Sequence, residues 1–385
     1  MNGRQNGAGM ENDPMRGSPG SWSASPSEAT GGLPSKEVLL RVEGLTKQYR
    51  LGGTLSGYRL VRAVSDLTFS ISAGETFGLV GETGSGKSTT GRLVLGLERP
   101  TSGTVTFAGQ DLSQLSGKEL RGLRRKMQPI SQDPYSALNG RMRISEILGE
   151  PFAIHGVAKG KERRQEVEHL LELVGLPLDS LDRFPHQFSG GQRQRLVIAR
   201  AIALRPRFVV ADEPLSALDV SVQAQIINLL SHLQRDFGLT YLFISHDLPI
   251  VRLLCDVIGV MYMGTLVEMA SRDQLFGAPA HPYSHALLAA VPVTDPSKRS
   301  QRKKLHLSGE IPRATEALTG CVFHSRCPVA EDRCATETPP LRPLAGGHLV
   351  ACHLAPVDEN ALIEATRSRN AAASSTAEID SGASK

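Results

Sequence analysis

The sequence predicts an α/β fold built on a largely parallel sheet, and three features carry that expectation. Phe208–Ala211 and Tyr241–Ser245 are apolar runs of the kind found in strands covered on both faces, and a helical stretch, Val222–Leu233, lies between them. Upstream, Thr76–Val80 reads as a further strand that runs straight into a glycine-rich turn. Strands alternating with helices pack as parallel strands joined by crossovers.

Taken in order, residues 1–35 include 17 Gly, Ser and Pro and lack a periodic apolar pattern, so a disordered tail is predicted there. Trp22, the one tryptophan, falls within it. Order begins with a strand at Val38–Val42, followed by a glycine-containing loop at 52–57. Leu67, Phe69 and Ile71 alternate with Thr68 and Ser70, the period of a half-buried strand. Thr104–Phe107 followed by Ala108-Gly109 reads as a hairpin edge. Between about 140 and 188 the pattern turns helical: Val167, Leu170, Leu171 and Val174 share one helix face, and Gly175 stops it. After Ala278, prolines interrupt the pattern and four of five cysteines gather between 321 and 352. The predicted units are therefore a tail at 1–35, a main unit at 36–278 with a helical part at about 135–190, a C-terminal extension at 279–357, and an Ala/Ser-rich disordered tail at 358–385.

With 43 Lys+Arg against 39 Asp+Glu, the net charge of +4 over 385 residues is too small to indicate nucleic acid or an anionic membrane. A basic run, Lys298, Arg299, Arg302, Lys303 and Lys304, reads as a solvated linker. No apolar stretch reaches the length of a membrane span, and no apolar leader is evident, so a disulfide framework is not expected.

Gly81, Glu82, Thr83, Gly84, Ser85, Gly86, Lys87 and Ser88, followed by Thr89, fit G-x-x-x-x-G-K-[ST] immediately after a strand. Glycines there let backbone N–H groups face a phosphate, and the next helix adds its N-terminal amides. Lys87 would reach the terminal phosphates and Ser88 would hold Mg²⁺. The strand Phe208–Ala211 delivers Asp212 to the same ion and Glu213 to the γ-phosphate, where a carboxylate can activate water. A second glycine-rich turn, Ser189-Gly190-Gly191-Gln192, opens another helix about 100 residues later. Two phosphate grips so far apart are easiest to reconcile with two copies meeting head to tail.

These motifs, in this order, resemble the ATP-binding subunits of ABC transporters over about residues 38–357. The resemblance rests on GETGSGKST at 81–89, Gln132, FSGGQ at 188–192, VVADEP at 209–214, SALD at 216–219 and His246. It implies a P-loop NTPase fold, the ABC nucleotide-binding domain with its helical subdomain, and ATP with Mg²⁺ as ligands. It further implies Glu213 as general base, Gln132 as a sensor of Mg²⁺ and the lytic water, and His246 as a γ-phosphate contact. Mg²⁺ would be held through Ser88, Gln132 and Asp212. Tyr49 stands where members stack a ring on adenine, with Tyr58 a weaker candidate. Ser189, Gly190, Gly191 and Gln192 would bind the partner subunit's ATP, and Asp219 would lie across the dimer interface. Phe188 and Ser131 depart from the commonest residues, without removing a group that the chemistry needs.

The extension resembles that of oligopeptide and dipeptide importers through His281-Pro282-Tyr283, Gly309–Pro312 and CVFHSRCPVAEDRC, as does the segment 246–268. The branch also handles nickel, glutathione and some sugars. Cys321, Cys327, Cys334 and Cys352, spaced C-x5-C-x6-C-x17-C, could hold zinc, hold a [4Fe–4S] cluster, or remain buried thiols. Short zinc-type pairs are missing, and the resemblance favours [4Fe–4S]; Cys255, alone in an apolar stretch read as helix, is expected in the core. The implied partners are a second ATP-binding subunit (identical or paralogous), two integral membrane permease subunits and an extracytoplasmic solute-binding protein, without nucleic acid. The implied location is peripheral, on the cytoplasmic face of the membrane, with docking through Asp133–Glu150. A DNA- or ribosome-remodelling ABC protein fits poorly, since one phosphate loop is present and no long coiled coil is inserted. A small-molecule kinase would leave the SGGQ turn and His246 unexplained.

Overall fold

The computed structural model describes residues 37–52, 59–291 and 319–368. Trp22, Tyr58, the basic run at 298–304 and Gly309–Pro312 lie outside them. Strands β1 (Val38–Leu51) and β2 (Arg59–Ser72) form a long antiparallel pair. β3 (Thr76–Val80) leads into α1 (Lys87–Val94). β4 (Ser102–Phe107) and β5 (Gln110–Asp111) complete a four-stranded antiparallel sheet, ordered β2-β1-β4-β5.

After α2 (Gly117–Arg124) and β6 (Met127–Ile130) the chain turns helical through α3 (Pro134–Ala137), α4 (Ile144–His155), α5 (Gly160–Leu173) and α6 (Gly190–Ile202). Val167, Leu170, Leu171 and Val174 are all buried, the face that the 3.6-residue period marked. β7 (Phe208–Asp212), α7 (Val220–Phe237), β8 (Thr240–Ser245) and α8 (Leu248–Leu254) follow, then β9 (Val257–Tyr262), β10 (Thr265–Ser271), α9 (Arg272–Gly277) and α10 (Pro282–Ala290).

The second sheet, of eight strands, runs β11-β12-β10-β9-β3-β8-β7-β6, with β11 (Arg342–Pro343) and β12 (Leu349–Val350) at one edge. β9, β3, β8, β7 and β6 are parallel. β3 and β8 are buried at every position, which is why their sequences are apolar runs and not alternations. One apolar cluster lies between this sheet and the antiparallel one; the other joins the sheet to α4–α8 and to the cysteine segment.

Three expectations need correcting. The extension is not a separate lobe: β12 pairs with β10 (Glu268 with Val350, Met269 with Leu349), so its backbone continues the main sheet. The tail expected from 358 begins with a helix over 359–368, where Leu362 and Ile363 are buried against Ala286, apolar surface that an Ala/Ser-rich reading overlooked. Cys255 is buried as expected, but it caps the C-terminus of α8 in extended conformation instead of lying inside a helix. A Cβ on Gly78 would fall 2.8 Å from its Sγ, so the thiol fills the space that this glycine leaves.

Candidate nucleotide site

In an open parallel sheet, ligands gather beyond the carboxyl ends of the strands. Val80 pairs with Ser245, Asp212 with Ile244 and Ile130 with Ala211, so four neighbouring strands end at one level. Residues just past those ends therefore meet: 81–88 after β3, Gln132 after β6, Asp212 and Glu213 at β7, and His246 after β8.

The loop at 81–86 is fixed by close backbone approach. A Cβ on Gly86, whose φ is 101°, would lie 2.0 Å from the Ala63 carbonyl oxygen; one on Gly81 would lie 2.1 Å from that of Met261. Only glycine fits either position. Lys87 is buried and donates to the carbonyls of Gly81 and Glu82, both at 2.8 Å. Burial pulls its ammonium below the ordinary lysine range, against the attraction of Glu213, Asp212 and Glu82. Such an ammonium gains from an arriving anion.

Ser88 Oγ donates to Asp212 Oδ1 at 2.9 Å. Burial raises the Asp212 carboxyl, and the neighbouring Glu213 charge raises it further, outweighing the Ser88 bond and the charges of Arg92 and Lys87. A hydroxyl and a carboxylate of this kind are the hard oxygen donors that suit Mg²⁺. Glu213 sits in the left-handed region at φ 45°, uncommon for a side chain of its size. Its N–H donates to the Ile244 carbonyl at 2.9 Å. One carboxylate oxygen accepts from Gln132 Nε2 at 3.0 Å, and the other lies 3.2 Å from His246 Nδ1. The Glu213 side chain is 14% exposed and that of His246 54%, so the imidazole guards the open side of the carboxylate.

Tyr49 is half-buried, its hydroxyl donating to Glu98 while Lys47 Nζ lies 5.0 Å from the ring centroid. Lys47 and Glu98 carry no motif and were missed in the sequence, where nothing joins residues so far apart. Ser189 caps α6, with Ser189 Oγ accepting from the Gln192 N–H at 3.3 Å and Gln192 Oε1 accepting from the Ser189 N–H at 3.0 Å. A Cβ on Gly191 would lie 2.4 Å from Val222 Cγ1, so α6 and α7 touch there. Asp219 caps α7, and its bonds from Ser221 and the Val222 amide hold its carboxyl below the usual range. The structure thus brings Gln132, Asp212, Glu213 and His246 to the phosphate loop, and places Ser189–Gln192 and Asp219 at the starts of two adjoining helices.

Cys321, Cys327, Cys334 and Cys352 are all buried, and none forms a disulfide. Burial, reinforced by the nearby Cys352 and Cys334, pushes the Cys321 and Cys327 thiols up to about 11 and about 12. Against that rise, the nearby backbone amides of Phe323 and His324 lower the Cys321 thiol, that of Val329 the Cys327 thiol, and those of Leu354 and Ala355 the Cys352 thiol, which burial also raises. Among the described residues, no three His, Cys, Asp or Glu side chains converge closely enough to hold one metal ion. Nor is any described helix long and apolar enough to cross a membrane.

Residues 64–216 match the family "ABC transporter", and 267–334 match "Oligopeptide/dipeptide transporter, C-terminal region". The chain is 46% identical to the oligopeptide transport ATP-binding protein AppF of Bacillus subtilis over 323 residues, covering 83% of this chain and 98% of that protein. It is 49% identical over 314 residues to a putative peptide import ATP-binding protein of Brucella ovis, covering 82% of this chain and 97% of the relative. Among solved structures, it resembles the dimeric post-hydrolysis state of the ATP-binding cassette MJ0796 bound to ADP and Pi. That match has a TM-score of 0.55 and 29% identity, over 61% of this chain and 99% of the other.

Proposed function

Because the chain belongs to the ATP-binding subunits of the oligopeptide branch of ABC transporters, we propose that it hydrolyses ATP at the loop 81–89 to drive import of di- or oligopeptides through a separate permease. The observation that carries the catalytic part is the convergence of Gln132 and His246 on the two oxygens of Glu213, beside the Ser88–Asp212 pair. In this reading Lys87 exchanges its loop carbonyls for the β- and γ-phosphates. Glu213 accepts the proton of the attacking water, Gln132 orients that water, and His246 holds the γ-phosphate. Ser88 and Asp212 would hold Mg²⁺, which when bound offsets charge on the phosphates. Tyr49 would offer the ring face not covered by Lys47 to adenine.

The SGGQ turn would act on ATP held by a second subunit, with Asp219 at the same interface; the dimeric state of the related cassette supports this arrangement. Permease docking fits the surface after Gln132, where Tyr135 is 67% and Ile154 64% exposed beside a cavity of about 230 Å³ lined in part by Pro151, Val197 and Arg200. Docking there would place the subunit on the cytoplasmic face of the membrane, served from outside by a solute-binding protein. The boundaries 36–278 and 279–357 serve as functional units, ATP site and cysteine-bearing extension, although one sheet runs through both.

The four cysteines are proposed to hold a [4Fe–4S] cluster in preference to zinc. Burial of all four cysteines supports this, since a cluster needs a dry cradle and takes one thiolate per iron, which does not require three side chains to meet at a single ion. The raised thiols would have to lose their protons as the group binds. Anaerobic purification should give a brown, iron-containing protein, and an iron-free, colourless one would refute this part. The transport reading is tested by uptake of labelled di- and oligopeptides in cells carrying wild type or Glu213→Gln. Uptake should fall sharply in the variant, and equal uptake would overturn it.

A further inference from the structure

Glu82 sits inside the phosphate loop, yet what holds it comes from the far end of the chain. Arg326 Nη1 donates to Glu82 Oε2 at 2.9 Å and Nη2 to Oε1 at 3.2 Å, a two-pronged pair. The Glu82 N–H donates to Tyr283 Oη at 2.9 Å, and the Glu82 carbonyl is one of the two backbone acceptors of Lys87. The backbone donor, both carboxylate oxygens and the carbonyl of this residue are all engaged, and its carbonyl meets the lysine that must release it when a phosphate arrives.

Arg326 is itself held in place. Its side chain is 8% exposed, and in sequence it lies between Cys321 and Cys327, directly before the latter. Nη1 also lies 3.4 Å from Tyr262 Oη, and the guanidinium carbon is 5.8 Å from the Tyr262 ring centroid. Phe323, three residues earlier, is fully buried, with ring centroids 5.2 Å from Tyr262 and 5.5 Å from Tyr283. Tyr262 ends β9, whose Met261 carbonyl backs Gly81. The cysteine segment, the aromatic cluster and the phosphate loop therefore form one packed unit.

A carboxylate in a phosphate loop repels the triphosphate that the loop must accept, unless its charge is matched. We propose that Arg326 is a positioning residue for ATP: it neutralises Glu82 and fixes the loop, so the folded state of the cysteine segment sets nucleotide affinity. The inference rests on the ATP-site reading and not on what the cysteines hold.

The test uses full-length protein and measures ATP binding, KM and kcat for Arg326→Met, Arg326→Lys, Glu82→Gln and the double variant Glu82→Gln/Arg326→Met. Arg326→Met should raise the ATP Kd and KM together by about ten-fold or more, with kcat changed less than three-fold. Arg326→Lys keeps the charge but not the fork and should fall in between. The double variant should bind more tightly than Arg326→Met alone, because the unmatched carboxylate is gone; a merely structural loss would not be rescued this way. Arg333→Ala, on the same segment but exposed, should match wild type. If Arg326→Met does not fold, the Lys variant and the double variant still decide. Unchanged Kd in Arg326→Lys together with no rescue in the double variant would overturn the proposal. Lys87→Ala separates the two readings. If it loses ATP while Arg326→Met does not, only this inference fails; if it binds ATP like wild type, the site assignment fails too.

Discussion

His281 gives the sharpest handle on how the extension is joined to the ATP-binding core. The ring is 1% exposed, its Nδ1 accepts the Tyr283 N–H at 3.0 Å as the cap of α10, and its centroid lies 5.7 Å from that of Phe323. Burial pulls the imidazole from 6.5 down to about 4; the Glu268 carboxylate opposes this and His285 reinforces it. The folded state thus holds a neutral ring that the unfolded chain protonates below pH 6.5. Stability from this group is complete above that value and is lost as pH falls toward 4, about 3 kcal/mol over the whole window. Between pH 7.5 and 5 the loss is about 2 kcal/mol, or about 3 °C in melting temperature for a chain of this size. His281→Asn keeps an acceptor at the cap without a titrating ring. The variant should melt lower at every pH, since its smaller side chain leaves space against Phe323. Its decline from pH 7.5 to 5 should be shallower than that of wild type by that amount. Glu268, His285 and His348, which face the same region, are unchanged between the two proteins, so the difference in slope isolates His281. Identical slopes, measured by calorimetry on the two full-length proteins, would refute the reasoning.

Other outcomes follow from the site. Glu213→Gln should retain ATP binding while steady-state phosphate release falls about 10²-fold or more, the scale for loss of a general base; phosphate release near the wild-type rate would remove Glu213 from that role. Gly191→Val should leave ATP binding by a single subunit intact but abolish turnover, because a side chain there meets Val222 and pries α6 from α7; titration with labelled ATP alongside phosphate release separates the two. Ser88→Ala removes the hydroxyl bonded to Asp212, and the Mg²⁺ concentration for half-maximal hydrolysis should rise about ten-fold or more. Glu268→Ala should cost about 3 kcal/mol or more by denaturant titration, since this buried carboxylate accepts from His348 and from the amides of Ala280 and His281. Burial raises its carboxyl, but those bonds outweigh it and leave the pKa lowered, so that stability is lost as pH falls below the ordinary carboxylate range.

The parallel core was readable because strands buried on both faces leave continuous apolar runs, as at β3, β7 and β8. The phosphate loop was readable because glycine is forced at positions such as Gly86, where any side chain would strike a carbonyl. Interactions that join distant parts of the chain were not. Nothing local to Glu82 signals Arg326, 244 residues away, and Glu268 looks like an ordinary strand carboxylate until His348 and the α10 cap are seen around it. The pairing of β12 with β10 escaped for a similar reason. Two residues are too few to show a period, and the register is set by packing around Val350.

That short pairing bears on how the protein can be divided. β10 has β9 on one side and β12 on the other, and the Ala351 N–H donates to the Val267 carbonyl at 2.8 Å. A chain cut after 278 would bare this strand along the sheet margin, with backbone donors and acceptors ready to recruit a strand from another molecule. The segment that carries the cysteines is in this sense a selvedge, finishing a sheet that would otherwise fray into aggregates.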